Sequence, residues 1–241
     1  MAAPDIHINE HLDTVLKGAW ESNINNQSRW VIFSDLHMGD GSTKDDFKPN
    51  SELFQSTLRD YYLKRNYSLM LNGDVEELQR FSLDVILNNW NPVYKLFDAF
   101  ANKNRLAKTY GNHDLQLKVQ KPPYDYKMSE ACKLSYEGDH IFIYHGHQAS
   151  KKYQLQNDLV GFTLKYFANP LRIKDYSVSH SSKKQYKIEK RAYEHAIKRN
   201  QISIIGHTHR PLFESLHKVD RLRFKIDQLC RDYLISRPSN Q

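Results

Sequence analysis

The chain has 241 residues, of which 39% are hydrophobic, and a formal net charge of +7. This length and composition suit one globular domain with room for an insertion. No apolar run approaches the roughly 18 residues of a membrane-spanning helix, and the acidic N-terminal stretch does not follow the signal-peptide pattern, so we expect a cytoplasmic protein. The only cysteines, Cys132 and Cys230, exclude a disulfide framework and a thiolate metal site.

The first half of the chain predicts alternating helices and strands. A helix is expected over residues 8–21, and an apolar strand ends at Ser34. The stretch 51–65 has apolar residues near helical spacing, and residues 67–74 form a second strand that closes on a Gly-Asp pair. This order predicts a βαβ unit.

The second half continues with a helix over 91–104 and a short strand within 105–114 that ends in a glycine turn. Two apolar runs within 131–147, separated by Glu-Gly-Asp, predict a hairpin. Residues 151–200 are expected to be mainly helical, and a final apolar strand starts at Gln201.

The charge is concentrated in residues 151–200, where twelve Lys/Arg and four Asp/Glu give a local balance of +8. The rest of the chain sums to about −1. Such a segment favours contact with an anion, whether phosphate, nucleic acid or a lipid headgroup, and a solvated helix face is the alternative.

Two pairs of histidines, each separated by one residue, follow apolar strands. His145 and His147 follow IFIY, and His207 and His209 follow ISII. Because strand side chains alternate, a His-x-His pair at a strand end would point both imidazoles to one face. The two pairs therefore predict ligands for a bound ion.

Metal-ligating side chains close five of the predicted strands. They are Asp35 and His37; Asp74; Asn112, His113 and Asp114; His145; and His207 and His209. Loops at the carboxyl ends of strands are where α/β folds build their sites. Carboxylate, amide and imidazole donors suit manganese, iron or zinc, and one carboxylate that uses both oxygens would support two metals about 3.5–4 Å apart, as in phosphoryl chemistry.

The blocks FSDLHMGD, NGDVEE, YGNHD, YHGH and GHTHRP, in this order, resemble those of the calcineurin-like metallophosphoesterase superfamily. The resemblance implies an α/β fold of four layers, with two mixed β-sheets face to face and helices outside, and a binuclear metal centre. By position, it assigns Asp35, His37 and His209 to one metal, Asn112, His145 and His207 to the other, and Asp74 to both.

The same resemblance implies roles for the remaining residues. His113 would donate a proton to the leaving oxygen or stabilise charge on the phosphate, and Asp114 would orient it. The nucleophile would be a metal-bridging hydroxide, with two divalent cations, manganese before iron or zinc. His147 matches no ligand, and we expect it to support the site or contact substrate rather than to be a plain surface histidine. Arg210 is a further expected substrate contact.

Within the superfamily, DLHMGDG, HGH, GHTHRP and the inserted helices resemble bacterial UDP-2,3-diacylglucosamine hydrolases, which cleave a pyrophosphate. Their insertion forms a lid that holds acyl chains, so we expect residues 151–200 to form a mobile helical lid within a single domain, 1–241. A nucleotide-sugar or lipid-linked substrate and peripheral contact with the inner membrane would follow. His113 stands where those hydrolases usually carry arginine, so a general phosphodiesterase or phosphatase is the alternative.

Two other classes of function stay open. The basic segment and its aromatic residues would suit a nucleic-acid enzyme or binder. A scaffold without turnover would have lost ligands, and none is missing.

Residues 212–235 follow the last block, and their apolar residues recur at three- and four-residue intervals. This spacing predicts one amphipathic helix, packed on the body, the lid or another chain. The family ordinarily supplies further strands here, so we expect that this branch ends in a helix or that the chain stops before those strands. An open sheet edge would then favour self-association.

Overall fold

A computed structural model describes residues 4–120, 122–150 and 182–210, together with residues 222, 226, 229 and 230. The chain divides into two compact units, Met1–His209 and Arg210–Gln241. The elements below all belong to the first unit.

Five α-helices and eight strands occur in these described stretches, joined by short 3₁₀ turns and one π-helical segment, Thr57–Leu63. The helices are α1 (Pro4–Lys17), α2 (Ser51–Ser56), α3 (Leu83–Asn89), α4 (Asn91–Ala101) and α5 (Ser182–Arg199). The strands are β1 (Trp20–Asn23), β2 (Trp30–Phe33), β3 (Ser68–Asn72), β4 (Leu106–Thr109), β5 (Met128–Ser129), β6 (Ala131–Tyr136), β7 (Asp139–Tyr144) and β8 (Ile202–Ile204).

The strands form two four-stranded sheets. The first sheet has the order β1-β6-β7-β8 and is mixed, because the predicted hairpin β6-β7 is antiparallel while β1 and β8 pair in parallel at its two sides. The second sheet has the order β2-β3-β4-β5 and is parallel throughout. The parallel strands place their carboxyl ends at common edges.

Alternation along the strands divides the apolar residues among three clusters. In β3, Leu69 and Leu71 face the cluster shared with α2, α3 and α4, whereas Met70 faces the opposite way. In β7, Ile143 belongs with Met70 to a cluster between the two sheets, while Phe142 faces α1 and α5. The layers are therefore helix, sheet, sheet and helix, which confirms the predicted four-layered α/β fold.

Two predictions about the helices were wrong in detail. The helix expected over 8–21 ends at Lys17, and Trp20 already belongs to β1, which pairs with β6. The short sequence WESN has no clear apolar alternation, so its strand was missed. The stretch 51–65 is divided between α2 and the π-helical segment.

The segment expected as a lid contains a helix of the core. Ile188 and Ala192 of α5 are buried in the cluster that covers the first sheet, together with Ile8 and Leu12 of α1. Residues 182–199 are thus part of a structural layer. The rest of the proposed lid, residues 151–181, lies outside the described residues.

The helix predicted over 212–235 also lies outside the described residues, except at positions 222, 226, 229 and 230, which are helical. Among the helices that the structure describes, none has the length and apolar character to span a bilayer.

Candidate metal centre

The predicted ligands follow strands of both sheets. Asp35 and Asp74 each come two residues after a strand of the second sheet, and His145 and His207 come directly or shortly after β7 and β8 of the first sheet. The amide of His207 donates to both carboxylate oxygens of Asp35, each at 3.1 Å, and so joins the ends of the two sheets. The fold therefore brings these distant blocks to one place.

The backbone of these loops is left-handed. Five predicted ligands have positive φ: Asp35 (57°), His37 (49°), Asp74 (52°), His207 (68°) and His209 (52°). Each such residue costs about 1–3 kcal/mol and persists only where the surrounding structure demands it, as at ligand sites. Strands β7 and β8 end before the first histidine of each His-x-His pair, so strand alternation does not set the direction of these side chains.

Two glycines let the loops approach each other. A Cβ atom on Gly111 would overlap the carboxylate of Asp74, and one on Gly206 would overlap the side chains of Ser34 and Asp35. The sequences GNHD and GHTH thus need glycine here for close approach.

One group of ligand atoms lies around Asp35. Asp35, His37 and His209 each offer one atom within 4.8 Å of the others. His209 Nε2 lies 3.1 Å from Asp35 Oδ1 and 3.4 Å from His37 Nε2. Nδ1 of His37 is held by Glu77 Oε2 at 3.1 Å, which turns Nε2 towards the group.

A second group lies around Asp74 and adjoins the first. Asp74, His145 and His207 again offer atoms within 4.8 Å of one another. His145 Nε2 lies 3.0 Å from Asp74 Oδ2 and 3.8 Å from Asp35 Oδ1. The backbone amide of His113 donates to Asp74 Oδ1 at 2.8 Å, which leaves Oδ2 for the ligand group.

The donor atoms fit divalent cations. Asn112 Oδ1 is buried and has no hydrogen-bond partner among the described residues, while Asp74 Oδ2 and His145 Nε2, also buried, face each other at 3.0 Å. Leaving an atom such as Asn112 Oδ1 unpaired costs about 1–3 kcal/mol, so buried polar atoms are nearly always paired. Oxygen and imidazole donors that converge in this way are suited to manganese, iron or zinc.

The two buried carboxylates dominate the electrostatics. Burial lowers the pKa of His145, but the charges of Asp74 and Asp35 outweigh burial and raise the pKa to about 10. Burial, and then the charge on His145, lower the pKa of His207 to about 3. A bound cation would take the place of the proton on His145, because metal-ligating imidazoles are neutral.

Glu77 contacts two of the histidines and was missed by the sequence reasoning. Its carboxylate lies 2.8 and 2.9 Å from Nδ1 of His113, besides its contact with His37. Burial opposes ionisation of Glu77, yet the hydrogen bonds from His113 and His37 lower its pKa to about 2. The only signal in the sequence was the second glutamate of NGDVEE, three residues after Asp74.

Asp114 does not take the position that we expected. Its carboxylate accepts hydrogen bonds from the amides of Gly111 at 2.6 Å and Val75 at 2.9 Å, and Glu77 is the partner of the His113 ring. Burial raises the pKa of Asp114 to about 7. Asp114 thus fixes the loop that carries His113.

His113 also lies among the ligand atoms. It forms a third group with His37 and Asp74, and its Nε2 is 4.0 Å from Asp74 Oδ2. Burial lowers the pKa of His113, but the hydrogen bond to Glu77 and the charge of Asp74 raise it overall. The ring can therefore present a proton at Nε2.

The two expected substrate contacts differ in what the structure shows. His147 is buried, with its ring centroid 5.4 Å from that of His145 and 6.2 Å from that of His207, so it is not a surface histidine. Arg210 begins the second unit, and its contact with substrate stays a prediction.

The match to a protein-family model agrees with this chemistry. The calcineurin-like phosphoesterase family model matches residues 28–211. No curated protein matches the chain as a relative. A crystal structure of a protein of unknown function from Aquifex aeolicus is similar, with 18% identity, a TM-score of 0.41, and coverage of 84% of this chain and 99% of that one.

Proposed function

Because the chain belongs to the calcineurin-like phosphoesterase family and is a metal-dependent phosphoesterase, we propose that it hydrolyses phosphodiesters or pyrophosphates with two divalent cations. Asp35, His37 and His209 would hold one cation, and Asn112, His145 and His207 the other, with Asp74 contacting both. Nitrogen and oxygen donors without thiolate suit manganese, iron or zinc, and of these we propose manganese first. Bound at these residues, the cations would supply Lewis-acid stabilisation of phosphate charge and a water activated for attack.

The observation that carries this proposal is the convergence of buried donor atoms from both sheets. Asp74 Oδ2, from the second sheet, lies 3.0 Å from Nε2 of His145, from the first, and the two form an ion pair only when the histidine is protonated. Asn112 Oδ1 is buried and has no hydrogen-bond partner among the described residues. A cation bound here would replace the proton on His145 and give Asn112 Oδ1 a partner.

His113 and Glu77 would handle the proton. Glu77 accepts the hydrogen bond from Nδ1 of His113 and keeps the ring oriented, so that Nε2 points towards the ligand group. His113 would then donate its Nε2 proton to the leaving oxygen as the ester bond breaks. Glu77 is a positioning residue in this scheme.

For the substrate, we propose a phosphate-containing nucleotide sugar or lipid-linked molecule, as in the branch that the sequence resembles. The apolar and aromatic composition of residues 159–171, next to the basic sequence SSKKQYKIEKR, supports this choice. His113 in place of arginine supports the alternative, a general phosphodiesterase.

The test combines elemental analysis with a substrate panel. The purified chain, loaded with manganese, should contain close to two metal ions and hydrolyse bis(p-nitrophenyl) phosphate. Nucleoside diphosphate sugars, their acylated forms and oligonucleotides would then identify the substrate class. No uptake of manganese or zinc would refute the metal centre.

His113→Ala tests the acid. We expect both metals to remain and turnover on poor leaving groups to fall by roughly 10²–10⁴, which is the usual contribution of a positioned acid or base. An aryl ester with a good leaving group should be affected far less. Loss of metal would instead make His113 a ligand.

A further inference from the structure

Asn72 is a buried polar residue on an otherwise apolar face. It is the last residue of β3 and is 1% exposed. Its side chain continues the face of Met70, which packs between the sheets with Leu134 and Ile143. An amide at this depth must have partners, because an unpaired one would cost stability.

The side chain of Asn72 connects the two sheets. Nδ2 donates to the backbone oxygen of Tyr144 at 3.1 Å, across from the second sheet to the first. Tyr144 is the last residue of β7 and directly precedes His145. Thr109 Oγ1, at the end of β4, donates to Oδ1 of Asn72 at 2.9 Å within the second sheet, while the carbonyl oxygen of Tyr144, which only accepts, sets which way the amide points.

The backbone oxygen of Asn72 holds two further groups of the metal centre. It accepts from Nδ1 of His145 at 2.9 Å, and Oγ of Ser34 lies 2.9 Å away, with its single proton shared between this oxygen and the carboxylate of Asp35. Since a carbonyl oxygen only accepts, the proton of His145 in this bond lies on Nδ1. Nε2 is then the atom that faces the ligand group.

We propose that Asn72 is a positioning residue that sets the separation between the carboxylates of one sheet and His145 of the other. Asp74 follows Asn72 by two residues, and the hydrogen bond from the side-chain amide of Asn72 to the Tyr144 oxygen fixes how far His145 lies from Asp74. The same hydrogen bond keeps the backbone oxygen of Asn72 within reach of the His145 ring. The inference rests on the proposed function, because it concerns the affinity of the chain for divalent cations.

The experiment compares zinc and manganese affinity, by competition with a chelator, in the wild type, Asn72→Leu and Thr109→Val. Leucine has a similar size but cannot bond to Tyr144. Thr109→Val is the matched control, because it removes a buried hydrogen bond of Asn72 within one sheet and leaves the bond between the sheets. We expect about 10–100-fold weaker metal binding in Asn72→Leu, the usual effect of losing a group that orients a ligand, and a change below about threefold in Thr109→Val.

The outcomes separate the two proposals. A wild type that takes up neither metal refutes the proposed function itself. A wild type that binds metal, with Asn72→Leu binding equally well, overturns only the role of Asn72. Equal losses of metal affinity in Asn72→Leu and Thr109→Val would also overturn it, because the hydrogen bond between the sheets would then matter no more than one within a sheet.

A second measurement covers the case in which Asn72→Leu does not fold. In ¹⁵N-histidine-labelled, zinc-loaded wild type, the Nδ1 proton of His145 should be visible and protected from exchange. In Asn72→Ala, where a water can replace the amide, we expect this proton to exchange faster. If neither variant folds, the side-chain amide protons of Asn72 in the zinc-loaded wild type decide, since rapid exchange of these protons would overturn the proposal.

Discussion

Two buried groups of charged side chains, centred on Glu76 and Asp74, are close in sequence but differ in the partners of their carboxylates. Glu76 accepts hydrogen bonds from Lys108, from Tyr94 at 2.8 Å and from Tyr124 at 3.0 Å. Asp74 Oδ2 instead lies 3.0 Å from Nε2 of His145, and the positive charges near Asp74 are those of histidines. Glu76 and Asp74 are both at most 1% exposed, so burial alone does not distinguish them.

The partners of a buried carboxylate distinguish a structural group from a binding site. The charges around Glu76 satisfy one another, and that group needs no ligand to be stable. The counter-charges around Asp74 are protonated histidines, whose protons a bound cation can replace, and Asn112 Oδ1 has no hydrogen-bond partner among the described residues. The comparison predicts loss of stability on changing one group and loss of metal binding on changing the other.

The largest effect is expected for Asp74→Asn. This variant removes a charge that contacts both proposed cations, so we expect it to lose at least one metal and to lower turnover by at least about 10³-fold, as when one member of a catalytic unit is removed. Elemental analysis and initial rates check this. A variant that keeps two metals and most activity would contradict the assignment of metal binding to the group around Asp74.

Lys108→Met should act on stability instead. It leaves Glu76 buried without its cation, so we expect a loss of about 3–5 kcal/mol in the free energy of unfolding. Urea denaturation with and without metal would measure it. The double variant Glu76→Gln, Lys108→Met should recover part of the loss, and a single variant less than about 1 kcal/mol below the wild type would contradict the interpretation.

Glu77→Gln should have an intermediate effect on activity. The amide keeps the shape but loses the charge that orients His113 and His37, so we expect turnover to fall about 10–100-fold. Glu52→Gln, on the exposed face of α2, is the matched control and should be unchanged. Equal rates in both variants would remove Glu77 from the proposed mechanism.

Asp13→Asn should have the smallest effect, because this carboxylate lies near the surface. Its hydrogen bond with Arg199, and then the one with His195, hold the pKa of Asp13 below its usual value. A lowered pKa contributes stability above the unfolded value, so we expect a loss of about 0.2–1 kcal/mol at neutral pH. The difference should shrink as the pH falls through the lowered pKa. Thermal melts over a series of decreasing pH from neutral would check this, and a loss independent of pH would contradict it.

Much of the fold could be predicted from local patterns. The hairpin β6-β7 and the parallel pair β2-β3 follow from apolar runs separated by turn or helical stretches. The short strands β1 and β5 were missed, because they are held by pairing with neighbouring strands rather than by alternation of their own. Helix α5 was placed correctly as a helix, but its role as a layer of the core depends on Ile188 and Ala192 meeting α1.

The donors that this protein carries, and their order, could be predicted from the sequence alone, because the blocks from FSDLHMGD to GHTHRP are local and specific. The same blocks indicate the family. How the ligands are held depends on the tertiary structure. It places the loops in the left-handed conformation, the carboxylate of Glu77 between His37 and His113, and the side chain of Asn72 in a hydrogen bond with Tyr144. Those partners are 36 to 72 positions apart, and their contacts depend on the packing of two sheets, which no local periodicity encodes.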